Sequence, residues 1–461
     1  MDTTLATAAG AGLPPATRPS HLNRSLGLPH ATALVVGTII GASIFVQPAE
    51  ITARVPTIGG ILLAWTVAGA LTLIGALACA ELSSAFPKTG GVYVFLCESF
   101  SPAFGFLWGW AMFWVMHSGI IAAIAVVFAR YVSFFVPLGD AGIRLVAVGA
   151  ILALSAVNYR GVKQGGVVQN VFTIGKVLAI LLMVVIGFAL GSRLPEHFQL
   201  TAPGSSLTPP MQSVTPTTFL LAVVAGLFAF GGWHMVTYAA EETVEPERTI
   251  PLSLLYGIVI VTACYVALNT VYLYILPLET VARSTRIAAD AATVVVGTTG
   301  GAAMSALVMF SSFGAANGII LAGPRVYYAM ARDGLLFRWM ADVHPVFRTP
   351  HRAIAAQAVW AAVLAWTGTY RQLFTRVVFT EWIFFALMAA GLFILRRRSD
   401  YHPAYRIWGY PLVPATFVLF SAGIVLNRIV TEPVESFTGI LLVALGLPVY
   451  YTWARPGRAT S

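Results

Sequence analysis

At 461 residues, with 58% hydrophobic and only 10% charged side chains and a mean hydropathy of +0.82, the chain has too few polar groups to coat a water-soluble globule of its size. A soluble enzyme or binding domain is thereby excluded, and lipid is the solvent that the composition implies. The net charge of +9 does not mark a nucleic-acid face, because the basic residues are scattered through short loops between apolar runs.

Residues 1–27 are rich in Ala, Thr, Gly and Pro and lack the short apolar core of a cleaved signal peptide, so they read as a disordered tail. From Leu28 onward the chain is a series of apolar runs long enough to cross a hydrocarbon layer that needs about 20 helical residues. They start near Leu28, Gly59, Ser101, Ile143, Val167, Thr217, Pro251, Ala302, Ala353, Phe374, Leu412 and Phe437. The reading is an all-α integral membrane protein of about 12 spans over residues 28–453, with the Ala353 and Phe437 runs near the short limit of about 17 residues. A short tail, 454–461, follows.

An even count puts both termini on one side. Roughly twice as many Lys and Arg fall on that side as in the alternate loops, which makes it cytoplasmic in a cell membrane. The longest loops, Ser192 to Pro216 and Pro277 to Gly300, are too short to bury a core, so function must sit within the membrane. Cys79, Cys97 and Cys264 lie in or beside apolar runs without metal-ligand spacing, and neither a metal nor a cofactor is expected.

The first run is interrupted at Gly37-Thr38-Ile39-Ile40-Gly41-Ala42-Ser43-Ile44-Phe45, with Pro48 just beyond, and a continuous helix is not expected there. Five spans later Phe228-Ala229-Phe230-Gly231-Gly232-Trp233-His234 forms a second glycine interruption at comparable depth. Breaks in corresponding members of two halves point to a transporter binding site. Unwinding frees N–H and C=O groups that are costly to leave bare in hydrocarbon, and a zwitterion meets both kinds. Gly41 and Gly231 are therefore expected to need backbone freedom; the alternative is that these glycines only permit tight helix packing.

Lys176 lies about nine residues into the fifth run, roughly 13 Å along a helix, too deep to snorkel. It reads either as a moving link or as a static strut between helices. Glu381, in Phe379-Thr380-Glu381-Trp382 of the tenth run, is the other deep ionisable group. It could meet a cationic substrate group, carry a proton, or stay uncharged as a hydrogen-bonded strut. His117 and His234 are weaker signals, although His234 sits beside the second break. Arg130 and Arg325 read as snorkelling groups at opposite interfaces. No zincin helix, nucleophile elbow, P-loop or K⁺-filter sequence is present, so an enzyme, an ATPase and a selective K⁺ channel are all disfavoured.

Taken with Ala80-Glu81-Leu82, Pro87-Lys88-Thr89-Gly90-Gly91, Glu241-Glu242 before Pro246, and Phe313-Gly314-Ala315-Ala316-Asn317-Gly318, these breaks resemble an amino acid permease of the amino acid-polyamine-organocation superfamily. Within it the chain is similar to the L-type amino acid transporter family, from about Leu26 to Arg398. The resemblance implies a five-plus-five inverted repeat with two extra C-terminal helices and alternating access. It implies that Ile39 and the Phe228 and Gly231 carbonyls hold a substrate amine and that the Ala42 and Ser43 amides hold its carboxylate. Ile40, Gly41, Ile44 and Phe230 would complete the lining, and Trp233, His234, Asn317 and Glu381 would shape the side-chain pocket. Lys176 matches a lysine that replaces a sodium ion of related transporters, implying sodium independence.

Two departures stand out. Gly41-Ala42-Ser43 replaces the usual Gly-Ser-Gly, and Pro137 to Arg144 lacks the cysteine that joins animal relatives to a heavy chain, so no disulfide-linked partner is expected. The expected function is secondary active transport of amino acids, sodium-independent and working as an exchanger or proton-linked. The competing reading is an amino acid or amine sensor without net transport.

Overall fold

A computed structural model describes residues 26–453 except 89, 161–164, 192–213 and 348, and leaves undescribed the side chains of 165–172, 239, 241–242 and 329. The expected terminal tails, Lys163, Thr89 and the Glu241-Glu242 side chains therefore lie outside the described residues.

The first apolar run forms two helices, α1 (Leu28–Ile39) and α2 (Gln47–Arg54), joined by a bend and a single 3-10 turn at Ser43–Phe45. Then come α3 (Ile58–Ala85), the short α4 (Val92–Ser99), and α5 (Pro102–Ala111), which continues through a π turn at Met112–Met116 into α6 (His117–Val132). A π turn misaligns carbonyls, and the side chains around it compensate. Ser118 Oγ donates to the Phe113 carbonyl (2.7 Å) and Trp360 Nε1 to the Trp114 carbonyl (2.8 Å).

Next are α7 (Asp140–Arg160), α8 (Gly165–Leu190) and α9 (Pro216–Ala229), which gives way to a 3-10 segment at Trp233–Glu242. The long α10 (Pro246–Ile275) is followed by the loop helices α11 (Leu278–Arg283) and α12 (Ile287–Val296), and by α13 (Thr298–Arg332). The chain ends with α14 (His351–Thr367), α15 (Tyr370–Leu395), α16 (Leu412–Thr431), α17 (Pro433–Ala444) and α18 (Gly446–Trp453).

Among the described residues ten helices are long and apolar enough to cross a membrane, counting as one each α5 with α6, α9 with the start of its 3-10 segment, and α17 with α18. The interrupted first run and the 17-residue α14 fall outside that ten, the first because it is broken and the second because it is short. The chain is an all-α multi-pass membrane protein. Its buried residues cluster around α1, α3, α6, α9, α10 and α15, while α7, α8, α16 and α17 turn Leu, Ile, Val and Phe side chains outward, as a lipid-facing ring does. α10 is the pillar of the interior: it packs against α3, α1 and α8 and against the 3-10 segment.

The candidate substrate site between two interrupted helices

The two interruptions meet. Thr38 Oγ1, at the end of α1, donates to carbonyls of its own helix (Leu34, 2.9 Å; Val35, 3.0 Å) and lies 3.3 Å from the Gly232 carbonyl of the second break. From α10, the Tyr265 hydroxyl stands 3.0 Å from the Ile39 carbonyl and 3.0 Å from the Ala229 carbonyl, sharing its one proton between the ends of α1 and α9. A tyrosine in the middle of a buried helix must find acceptors, and each broken helix end supplies one.

At the first break the chain turns at Ile40 (φ −70°, ψ 86°), and the amides of Gly41 and Ala42 donate to no acceptor among the described residues. Both are buried, and the positive end of the 3-10 turn and α2 lies just beyond them. At the second break the Gly231 amide bonds the Phe228 carbonyl (3.0 Å), and Gly232 adopts φ +94°. Gly232 requires glycine because it is left-handed, and a Cβ there would lie 3.1 Å from the Thr38 carbonyl; a Cβ on Gly231, which is not left-handed, would lie 3.1 Å from the Phe228 carbonyl. Gly41 has no such constraint, since an added Cβ would meet only Ala315 Cβ at 3.7 Å and the Ile39 carbonyl at 3.8 Å.

Ile39, Ile40, Gly41, Ala42, Ser43, Ile44, Phe228 and Phe230 are all buried around this junction, and Gly231 is partly accessible. Phe228 packs on Phe374 and Tyr370 of α15 (5.5 and 6.3 Å between centroids). Tyr370 accepts from Gln47 Nε2 (3.1 Å) and lies under Arg130, while Glu50 of α2 pairs with Arg54 and Arg371 (2.9 and 2.8 Å). One end of the junction is therefore closed by α2, α6, α9 and α15.

At the opposite end, His234 sits in a box of rings: Trp108, Trp233, Tyr238 and Phe385, at 5.1–5.7 Å between centroids. Neither of its ring nitrogens has a hydrogen-bond partner among the described residues, while the Tyr238 hydroxyl and Trp108 Nε1 have no partner beyond each other. Glu381 lies one helical turn before Phe385 on α15, buried, within electrostatic reach of Tyr238 and without a hydrogen bond to a described residue. Orphaned polar atoms of this density are normally satisfied by water or a ligand.

Two expected residues stand apart. Asn317 accepts from Asn158 Nδ2 of α7 (2.7 Å), and its neighbour Ala315 is the α13 residue that reaches Gly41. Lys176 is buried on α8, which packs on α1, α10 and α13, and it makes no ion pair with a described residue. Tyr265, Thr38, Trp108, Tyr238 and Phe385 were not singled out in the sequence. Tyr265 alone carried a usable signal, a hydroxyl in the middle of an apolar run.

Residues 26–451 match the profile of a family described as amino acid permease. The chain belongs to the amino acid permease family. It is 33% identical over 439 residues to the serine/threonine exchanger SteT of Bacillus subtilis, an alignment covering 94% of this chain and 98% of that protein. It is 30% identical to the human b(0,+)-type amino acid transporter 1 (94% and 88% covered) and to the human large neutral amino acids transporter small subunit 2 (93% and 80% covered). This permease is thus a membrane transporter and not an enzyme, and the family match gives a sensor role no support.

Proposed function

We propose that the permease exchanges small amino acids across a cell membrane by alternating access, with the substrate held where the two interrupted helices meet. The observation that carries this is the pair of free, buried amides at Gly41 and Ala42, set against the Gly231 carbonyl and the remaining lone pairs of the Ile39 and Phe228 carbonyls. A carboxylate suits the first set and an ammonium the second, so an amino acid backbone satisfies groups that otherwise stand bare. Exchange rather than net uptake is supported by the Bacillus relative, a serine/threonine exchanger, and a small side chain by the ring box at Trp233 and His234.

Lys176 stands in this reading as the fixed cation that makes sodium unnecessary. The breaks five spans apart support two inverted halves of five helices within one transport domain, 28–453. The basic loops support a cytoplasmic position for both termini, and the burial of Cys79 and Cys264 and the partial burial of Cys97 support a chain that works without a disulfide-linked partner.

The test is uptake of labelled serine, threonine, leucine and arginine into proteoliposomes of the purified chain. The expected result is uptake that requires internal amino acid and is indifferent to replacement of sodium by choline. Equal uptake into empty vesicles would sink the exchange mechanism, and sodium dependence would sink the role given to Lys176.

A further inference from the structure

Away from the helix breaks, a cavity of about 530 Å³ opens between the end of α7 and the start of α14. Ser155, Ala156, Tyr159 and Arg160 form one wall; Phe347, from the loop before α14, and Ile354 face them. The loop is a built structure. Its turn is closed by the His344 amide on the Thr349 carbonyl (2.8 Å), and Thr349 Oγ1 pins it to the Tyr159 carbonyl (2.8 Å). The Tyr159 ring is packed against His344, Phe347 and His351.

Three features give the cavity a chemical preference. Arg160 is exposed at its rim and makes no ion pair with a described residue, whereas nearby Arg352 is taken up by Asp342 (2.6 Å). The Ser155 hydroxyl in the wall is 94% buried, counting its residue, and has no hydrogen-bond partner among the described residues. α14 begins beside the cavity, and its Ala353 amide has no backbone acceptor among the described residues. Among the described residues the lining holds a cation and spare donors but no carboxylate to pair with the amine of a zwitterionic amino acid.

The outer surfaces of α7 and α14 lead from this cavity toward the membrane interior through exposed Leu152, Leu145, Val359 and Val363. Chain alternation places the cavity on the same face as the ends of α13 and α15, with Arg332 and Arg396 to Arg398. That face carries the excess of basic residues, the side on which anionic lipids gather.

We infer that this cavity is a binding site for the headgroup of an anionic phospholipid, with the phosphate on Arg160 and Ser155 and the acyl chains laid along α7 and α14. A single basic residue near a charged membrane surface is worth about fivefold in affinity. The test uses the full chain in nanodiscs of mixed phosphatidylcholine and phosphatidylglycerol, with native mass spectrometry to count lipids retained after detergent stripping. The wild type is expected to retain phosphatidylglycerol preferentially, and Arg160→Gln to lose that preference about fivefold. Ala156→Trp, which blocks the mouth while keeping the charge, should do the same; both positions are exposed, so neither change threatens folding. Unchanged preference in both variants overturns the site. Glycerol phosphate, which lacks acyl chains, should not displace the lipid; displacement at equal concentration would assign the cavity to a soluble phosphate instead.

Discussion

Glu381 and Lys176 are buried ionisable groups without an ion-pair partner among the described residues, on helices with different neighbours, α8 beside α1 and α13 and α15 beside α6 and α9. An unpaired ionisable group at such depth is costly to keep, so each is expected to act when the surroundings rearrange. Glu381→Gln should leave the fold intact while changing the ranking of neutral over basic amino acids or flattening the pH dependence of uptake. Competition panels at two pH values on both proteins check this, and superimposable profiles would reduce Glu381 to a strut. On the role proposed for Lys176, Lys176→Ala should slow exchange more than it weakens equilibrium substrate binding, because a cation linking helices that move would bias their equilibrium without touching the ligand. Wild-type exchange by that variant would remove Lys176 from the cycle. The glycines separate on geometry. Gly232→Ala forces a side chain into left-handed backbone at a cost of about 1–2 kcal/mol, with a contact to the Thr38 carbonyl added, whereas Gly41→Ala meets only ordinary contacts. Thermal unfolding in detergent should show a clear loss for the first and almost none for the second; the reverse order would mean that the junction is not held as described.

The helices are fastened at their ends by polar clusters that their apolar faces do not announce. At the end of α15, Arg396 forks onto Glu81 of α3 (2.8 and 2.6 Å), which also accepts from the Ile407 amide (2.8 Å) and the Tyr401 hydroxyl (3.3 Å). Arg396 also stacks on Tyr410 at 3.9 Å. The loop after α15 is thereby folded back on the C-terminal end of α3. Hydrogen bonding to Glu81 raises the Arg396 pKa above its ordinary value, so the contribution of this pair is complete below the unfolded-state value and is lost only as pH rises through the folded one. No alkaline transition from it belongs to any physiological range. Arg396→Met would strand the fully buried Glu81 and should destabilise the protein by about 3–5 kcal/mol, a loss read as a lowered unfolding midpoint; a shift within error would show that Glu81 is solvated.

In this conformation contacts close over both sides of the junction between the two breaks, on one side those of α2 and α15 around Glu50, Arg371, Gln47 and Tyr370, on the other the Val244 amide on the Leu26 carbonyl (3.0 Å). Alternating access needs these closures to be weak enough to open. The Glu50–Arg371 pair is suited to that, since Arg371 is more than half exposed and such pairs contribute at most about 1 kcal/mol. Glu50→Gln in a Ser43→Cys background should therefore raise thiol labelling from that side by up to roughly fivefold, with the substrate affinity of the closed state little changed. Unaltered labelling would show that the pair is not part of the gate.

The membrane class and the run of apolar helices were legible because they depend on summed hydrophobicity over some 20 residues, which no tertiary contact can reverse. Span starts read from the sequence fall within about five residues of the helix starts, from Leu28 through α16 at Leu412 to α17 at Pro433. Both interruptions were legible too, because glycine and small residues at the centre of an apolar run leave few other conformations. What stayed hidden was every choice that depends on which faces meet. Side-chain direction along a helix turns by about 100° per residue, so sequence alone could not say that Ala315 and not Asn317 faces Gly41, or that Asn317 would turn to Asn158. Nor could it say which of two adjacent glycines takes the left-handed turn, since that follows from the approach of the Thr38 carbonyl. The shared Tyr265 proton that joins the two breaks was likewise decided only by packing, because it links positions more than two hundred residues apart in the chain.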